Sequence, residues 1–366
     1  MRVRHLWLGL IAVLFILGTV FWLLTRAWPP APLTAKEKQM TDKLFEQTKP
    51  QCMGRFLFDM PVSFNNAATG QVKINEMRID SKRLYPPAFA QRIRLREQEL
   101  KNSPTVDPED LPYLKQVYRI DKNTVIFDHN VNESVPGFAR ILEGHLYSNG
   151  VAFTVNIRIQ DLSDPKYQKD KEDYLNSGTP EDALNDKSQR LAEMQSLLSR
   201  LKGRRDDEVP AGPGTCIPEG FIKDKDAMSD DVINIIYDSD DFGLIINTDN
   251  TLRKDKTLLE RADENIATII RIGAHTLRKG AVKLPEINAE EWLVKARQDI
   301  YHPEEKSVTA YRFTFYGNED IADVRHPVFS VELNNSGKET KSYTDSRLVD
   351  IWDRITRTFR YRPGAF

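Results

Sequence analysis

Residues 139–159, ARILEGHLYSNGVAFTVNIRI, read as a β-hairpin, and that reading sets the class of the whole chain. Val151, Phe153, Val155, Ile157 and Ile159 recur with a period of two, which turns one face of a strand toward a core. Ser148-Asn149-Gly150 supplies the residues that accept positive φ in a tight turn. Strands at Lys115–Asp121 and Thr124–His129 lead into it. Further upstream, Cys52–Pro61 reads as a strand stopped by proline, with Phe56, Phe58 and Met60 on one face, and Gln71–Asp80 reads as another. Helices punctuate these strands. Thr34 with Glu37 forms a capping box for a helix over Thr34–Gln47, and Pro-Pro opens a charged helix at Pro86–Lys101. Thr179-Pro180-Glu181-Asp182 caps a third, whose Leu184, Leu191, Met194, Leu198 and Leu201 share a stripe closed by Gly203; between it and the hairpin, Asp164–Gly178 reads as a polar loop.

The downstream half has the same manner. Strands are expected at Val232–Tyr237, Phe242–Thr248, Ala274–Lys279, Ser307–Tyr316 and Val328–Leu333, with helices at Thr257–Ile269 and Ala289–Arg297. It closes on Ser346–Phe359, where Leu348, Ile351, Trp352, Ile355 and Phe359 make an amphipathic face. Arg204–Gly214, rich in proline and glycine, separates the halves as a linker. The expected fold class is therefore α+β, with two lobes of similar size at 51–203 and 215–366. Some 340 residues beyond the amino-terminal segment exceed what one core usually serves, which agrees with two domains.

Leu6–Thr25, LWLGLIAVLFILGTVFWLLT, carries no charge and is apolar on every helical face. Twenty residues at 1.5 Å each span roughly 30 Å, the thickness of a bilayer's hydrocarbon core. Trp7 and Trp22 stand near its ends, and Arg2, Arg4 and Arg26 bracket it. An N-terminal transmembrane helix over 1–27 is expected, followed by a spacer at 28–50 that begins with the stiff Trp28-Pro-Pro-Ala-Pro32. The alternative is a cleaved signal peptide, for which the apolar run is long. A five-residue head is a poor candidate for the translocated part, so the body is placed outside the cytoplasm, in the periplasm, tethered to the inner membrane.

With 40% hydrophobic and 29% charged residues, the chain has a globular composition. Its net charge is −2 with both signs mixed, so bulk electrostatics imply neither nucleic acid nor an anionic lipid surface as a partner. Cys52 and Cys216 are the two cysteines; either they form one disulfide, or each is a buried thiol in its own domain.

Catalytic signatures are missing. No G-x-S-x-G elbow occurs, and the six histidines show no metal-binding spacing. Each histidine reads as a strand or turn residue. Asn334-Asn-Ser-Gly-Lys338 starts like a phosphate loop and fails for want of an upstream glycine. Asp238-Ser-Asp-Asp-Phe-Gly243 has the alternating oxygen ligands of a calcium loop, yet Phe242 replaces one ligand and Asp249 stands where a bidentate Glu is needed. It reads as a solvated turn. No catalytic residue, cofactor site or metal site is expected.

Several short motifs do fall into an order. They are Cys52-x-Gly-Arg-Phe-x-x-Asp-x-Pro61, Cys216-x-x-x-Gly-Phe-Ile222, Thr257-Leu-Leu-Glu-Arg261, Arg271-x-Gly273, Gly280 followed by Glu290-Glu-Trp-Leu293, Leu348-x-x-x-Trp-Asp353 and Arg360-x-Arg-Pro363. Together, from Cys52 to Pro363, they resemble the immunity proteins of type VI secretion lipase effectors, the Tle-cognate class-four family. A second glycine of the Gly280–Trp292 stretch is replaced near Asn288. The resemblance implies a two-lobed periplasmic inhibitor, without catalytic residues, that binds a phospholipase effector and blocks lipid from its active site. The motif positions hold the fold, so contact residues are expected elsewhere, on Asp238, Asp240 and Asp241 and on Lys166 and Lys169. Two other classes stay open: a membrane-anchored periplasmic enzyme, and an envelope assembly protein.

Overall fold

The computed structural model describes residues 27–67, 70–225, 228–239, 241–301, 306–335 and 343–366. Leu6–Thr25 lies outside these residues; among the described ones no helix is long and apolar enough to cross a membrane. The first helix, α1 (Ala35–Leu44), begins at the expected capping box: Thr34 Oγ1 accepts from the Glu37 N–H, and the Glu37 carboxylate accepts from the Thr34 N–H at 2.8 Å. Two strands, β1 (Thr48–Met53) and β2 (Phe56–Pro61), replace the single one expected over Cys52–Pro61, because Gly54 at φ 56° turns the chain between them. After β3 (Asn65–Ala67), the strand expected at Gln71–Asp80 is a hairpin of β4 (Val72–Ile74) and β5 (Met77–Arg83) around Asn75 and Glu76.

The next elements, α2 (Pro86–Asn102), β6 (Leu114–Asp121), β7 (Thr124–Asn130), β8 (Ala139–Ser148) and β9 (Val151–Gln160), stand where the sequence places them. Asp164–Gly178 is not a loop. The Asp164 carboxylate accepts from the Lys166 N–H and opens a 3₁₀ turn that runs into α3 (Gln168–Asn176). The leucine stripe that follows is broken into α4 (Glu181–Leu184) and α5 (Lys187–Arg200), where Asp186 turns back to accept from the Gln160 N–H at 2.9 Å.

Short strands β10 (Leu201–Gly203), β11 (Gly214–Ile217) and β12 (Gly220–Lys223) flank the proline-rich segment. Then come β13 (Asp231–Asp238), β14 (Gly243–Asp249), α6 (Leu258–Glu264) and α7 (Ile266–Arg271), the last two split at Asn265 from the one helix expected over Thr257–Ile269. They are followed by β15 (His275–Leu284), β16 (Ile287–Ile300), β17 (Lys306–Gly317), β18 (Val328–Asn334), α8 (Asp345–Thr356) and β19 (Arg360–Tyr361). The helix expected at Ala289–Arg297 is thus a correction: these residues lie inside β16. Glu, Ala, Leu, Lys and Arg favour helix locally, but β16 is hydrogen-bonded on one side to β15 through a two-residue turn in which Glu286 takes φ 59°, and on the other to β17.

The chain divides into two compact units, each built from separate spans of sequence. One takes Met1–Lys49, Phe58–Thr69 and Asn234–Arg360; the other takes Pro50–Leu57, Gly70–Ile233 and Tyr361–Phe366. In the first unit the strands follow the order β15-β16-β17-β18-β14-β13. Helix α8 seals this sheet with Leu348, Ile351, Trp352 and Ile355, all fully buried. Trp352 meets Phe313 and Phe315 edge-on at 5.8 and 6.4 Å, and Phe359 stacks on Phe329 at 5.0 Å.

In the second unit the order is β4-β5-β9-β8-β7-β6. Phe153, Val155 and Ile157 of the hairpin stand opposite Leu146, Gly144 and Leu142. Helix α5 packs on that face, so closely that a Cβ at Gly144 would sit 2.9 Å from Met194 Sδ. The intervening polar residues do not face open water. Thr154 and Asn156 pair with His145 and Glu143 on the other face, which α2 roofs through Arg92 and Arg96. Covered on both faces, β7 is buried along its whole length.

Candidate functional site

The acidic turn joins β13 to β14: the Ser239 N–H donates to Phe242 O at 3.0 Å, Asp238 is exposed and Asp241 half-exposed. Asp240 lies outside the described residues. Among the described residues no three His, Cys, Asp or Glu side chains are placed to hold a metal ion. Asp238 and Asp241 belong to the first unit, whereas Lys166 and Lys169 belong to the second, at the start of α3. Lys169 is exposed. Lys166 has a structural tie: its ammonium donates to Glu109 O and lies 4.7 Å from the centre of the Tyr167 ring. That ring's hydroxyl donates to the buried Asp110 at 2.9 Å, and burial with the Asp110 charge pushes the phenol well above its ordinary pKa.

The most concentrated titratable chemistry was not visible in the sequence. Under α2 lies a cleft of about 520 Å³ lined by Arg92, Arg96, Glu143, His145, Thr154 and others. Glu143 accepts from Arg96 at 2.7 Å, from His145 Nε2 at 2.7 Å and from His129 Nε2 at 3.2 Å. Burial pushes the carboxyl up, but the hydrogen bonds from both histidines and Arg96 outweigh it and hold it well below the usual carboxylate range. Arg96 is pushed up in turn, chiefly by its hydrogen bond to Glu143. Thr154 Oγ1 completes a line to His145 Nδ1, but at 3.5 Å and with Arg92 already donating to it at 3.2 Å. An activated hydroxyl needs its base within about 3.2 Å. The Glu143 charge is also divided among three donors. This arrangement pins α2 to the sheet; it is poorly built to take a proton from a nucleophile.

The first unit repeats the device. Glu291, buried in β16, accepts from the Trp352 indole N–H at 3.0 Å, from Arg357 at 2.9 Å and from Arg278 Nη2 at 3.3 Å. Asp353 binds the same two arginines from the adjacent turn of α8. The motif residues Glu291, Trp352 and Asp353 are therefore one ion-paired clamp of sheet to helix. A second cleft in this unit, about 500 Å³, is lined by Lys283, Glu290, Tyr316, Glu319 and neighbours. Its acids are engaged as helix caps: Glu290 accepts from the Leu259 N–H at 2.9 Å and Glu319 from the Leu258 N–H at 2.7 Å.

Residues of the two cysteine motifs and of Arg360-x-Arg-Pro363 meet in the second unit. Cys52 and Cys216 are joined by a disulfide, with Cα atoms 5.7 Å apart, and Gly54 and Cys216 exchange backbone hydrogen bonds at 2.8 Å. Arg55 grips Asp224 with both terminal nitrogens, at 2.8 and 3.0 Å, and donates to Ala365 O. Arg204 donates to Cys52 O, Gly220 O and Ile217 O, while Arg362 donates to Pro210, Gly212 and Gly214 carbonyls at 2.7–2.9 Å. The irregular segment after Arg204 is thus tied down by two buried guanidinium groups. Burial and the neighbouring Arg55 and Arg204 charges pull Arg362 down to about 10.

These features define a two-domain α+β protein, mostly sheet, whose buried charges are engaged in holding its own elements together. The chain belongs to the Tle cognate immunity protein 4 family: the model of that family's N-terminal domain matches residues 49–204 and that of its C-terminal domain matches residues 208–364. It is a Tle immunity protein. Among solved structures, the fold is similar to the apo immunity protein TplEi of the type VI secretion system from Pseudomonas aeruginosa, with a TM-score of 0.67 at 18% identity over 86% of this chain and 97% of that one. It is equally similar to a chain in the crystal structure of the Tle4–Tli4 complex, with a TM-score of 0.67 at 19% identity over 86% and 98%. TplEi in complex with an "L" peptide gives 0.62 at 17% identity. No curated protein sequence matches the chain.

Proposed function

We propose that this protein binds a type VI secretion phospholipase effector in the periplasm and silences it by covering the path of lipid to its active site. The observation that carries the reading is the match of both family domains across 49–204 and 208–364. The engagement of Glu143, His145 and Glu291 in ion-paired clamps supports a binding protein over the anchored-enzyme alternative, because none of them is left beside a hydroxyl or thiol in catalytic geometry. The Cys52–Cys216 bridge supports an oxidising compartment. Leu6–Thr25 is proposed as the inner-membrane anchor, which would raise the inhibitor's effective concentration where the lipase works.

Both family domains, on either side of Arg204–Gly214, are proposed to contribute to the contact, with Asp238 and Asp241 on one and Lys166 and Lys169 on the other. Lys169 and Asp238 stand in solvent, free of a fold-holding role. An interface of roughly 2,000 Å² and nanomolar affinity, about −12 kcal/mol, would suit an inhibitor that must outlast its target. The test is titration of the full chain against the activity of a Tle phospholipase from the same cell. Activity should fall stoichiometrically to zero; full activity at saturating inhibitor refutes the proposal.

A further inference from the structure

Helix α7 is an apolar element of the first unit whose Ile266, Ile269 and Ile270 are half-buried. It reads Ile266-Ala-Thr-Ile-Ile-Arg271, none of its residues is buried, and Ile272 just beyond it is 54% exposed. Isolated isoleucines on a surface mean little, but here four fall within seven residues. What covers them is indicated by where the chain enters the unit. The Trp28 N–H donates to Thr276 O at 2.7 Å, at the start of β15. Thr276 follows Ile272 by four residues, so their Cα atoms are at most ~14 Å apart. Trp28 itself is 46% exposed, and the charge-free stretch Leu6–Thr25 ends three residues before it, within about 10 Å of extended chain.

A third feature points to the same end of the sheet. The last pair between β15 and β16 is His275 with Lys295, yet β16 continues to Ile300, so its tip projects some 17 Å past the start of β15. At that tip Tyr301 is 66% exposed. Arg271, Arg297 and Lys306 are exposed around these apolar groups, as are Asp263, Glu264 and Asp299, the last 3.8 Å from Arg297; Glu304 and Glu305, between Tyr301 and Lys306 in sequence, lie outside the described residues.

Resting on the anchor reading above, we propose that this end of the first unit lies on the lipid surface of the membrane. Helix α7 and Ile272 sit in the headgroup layer, Trp28 and Tyr301 place their rings at the interface, and Arg271, Arg297 and Lys306 face lipid phosphate. An apolar helix face beside aromatic and basic side chains is the composition an interfacial element needs. The anchor then does more than tether: with α7 as a second point of contact it fixes which way the body faces.

The experiment uses the full chain with its native disulfide, reconstituted in phosphatidylethanolamine–phosphatidylglycerol vesicles. A bimane probe is placed at Ile272→Cys in one preparation and at Lys283→Cys, far along β15, in another. Brominated lipid should quench the Ile272→Cys probe at least about twofold more than the Lys283→Cys probe, as immersion to the acyl boundary requires. Equal quenching in a chain that floats with the vesicles overturns this proposal and leaves the anchor standing. Failure to float overturns the anchor and this proposal together. A probe at Ile272→Cys that is shielded only when the lipase is added assigns the patch to a protein partner and overturns the lipid assignment.

Discussion

The indole N–H of Trp352, at the centre of α8, donates to the buried carboxylate of Glu291 in β16 at 3.0 Å. The same carboxylate is held by Arg278 and Arg357, so the tryptophan is the apolar plug of the first unit and also one jaw of its charge clamp. Glu291→Ala strands the indole N–H and leaves Arg278 and Arg357 with Asp353 in place of two carboxylates. The loss should be about 3 kcal/mol in urea unfolding, the scale for breaking a buried pair from one side. Glu291→Gln should recover part of it. A change under ~0.5 kcal/mol would show that the clamp is not holding the helix.

Reducing the Cys52–Cys216 bridge opens a loop spanning 164 positions of sequence whose two ends lie in the second unit. Chain entropy assigns such a cross-link roughly 4–5 kcal/mol. Cys52→Ala with Cys216→Ala should lower the melting temperature markedly, and reductant should have no further effect on that variant. Equal melting of the two forms contradicts the expectation.

Asp231 is buried beside Thr215, whose hydroxyl donates to it, and burial pushes its carboxyl up from 3.8 to about 7. Between those values the folded chain keeps a proton that the unfolded chain has released, so stability falls as pH rises through the window and the contribution is gone above it. Three pH units correspond to at most about 4 kcal/mol. Asp231→Asn should flatten the decline between pH 5 and 8 and be the more stable form at pH 8. Glu143 does not interfere, since its depressed pKa makes it lose stability only below its ordinary 4.5. Parallel stability profiles for the two proteins would count against a protonated Asp231.

Arg362→Ala uncaps three carbonyls of the segment after Arg204. Amide exchange in residues 205–214 should accelerate at least tenfold, and global stability should drop by about 2 kcal/mol. Unchanged exchange would mean that Arg204 alone holds the segment.

For the effector contact, Asp238→Lys with Asp241→Lys should weaken lipase binding at least tenfold, about 1.4 kcal/mol, and slow association most at low salt. The melting temperature should not move, because the turn is exposed. Affinity equal to that of the native chain removes this turn from the interface.

The hairpin at 139–159 was legible because its turn residues and its period agree, and the capping box at Thr34 was legible because it is local. What was not legible has a common cause. Glu143 falls in an expected strand and Glu291 in an expected helix with nothing local to mark either, yet a helix brought from elsewhere in the chain supplies an arginine that lets each be buried. Strand β16 was misread because its residues favour helix and its partners are found only after the chain folds back at Pro285-Glu286. For the candidate contacts, sequence could not tell a tied lysine from a free one: both are exposed, but Lys166 is tied to Glu109 O whereas Lys169 three residues on is not.

The interleaving of the two units bears on the order in which the protein is made. The second unit needs Arg362 and Ala365 to finish the clasp around Arg55 and the Arg204 segment, so it stays open until residues 234–360 have also been synthesised. The first unit waits likewise for α8, although its opening residues are among the earliest to emerge. Neither unit holds all of its closing residues until the segment 345–366 has been made.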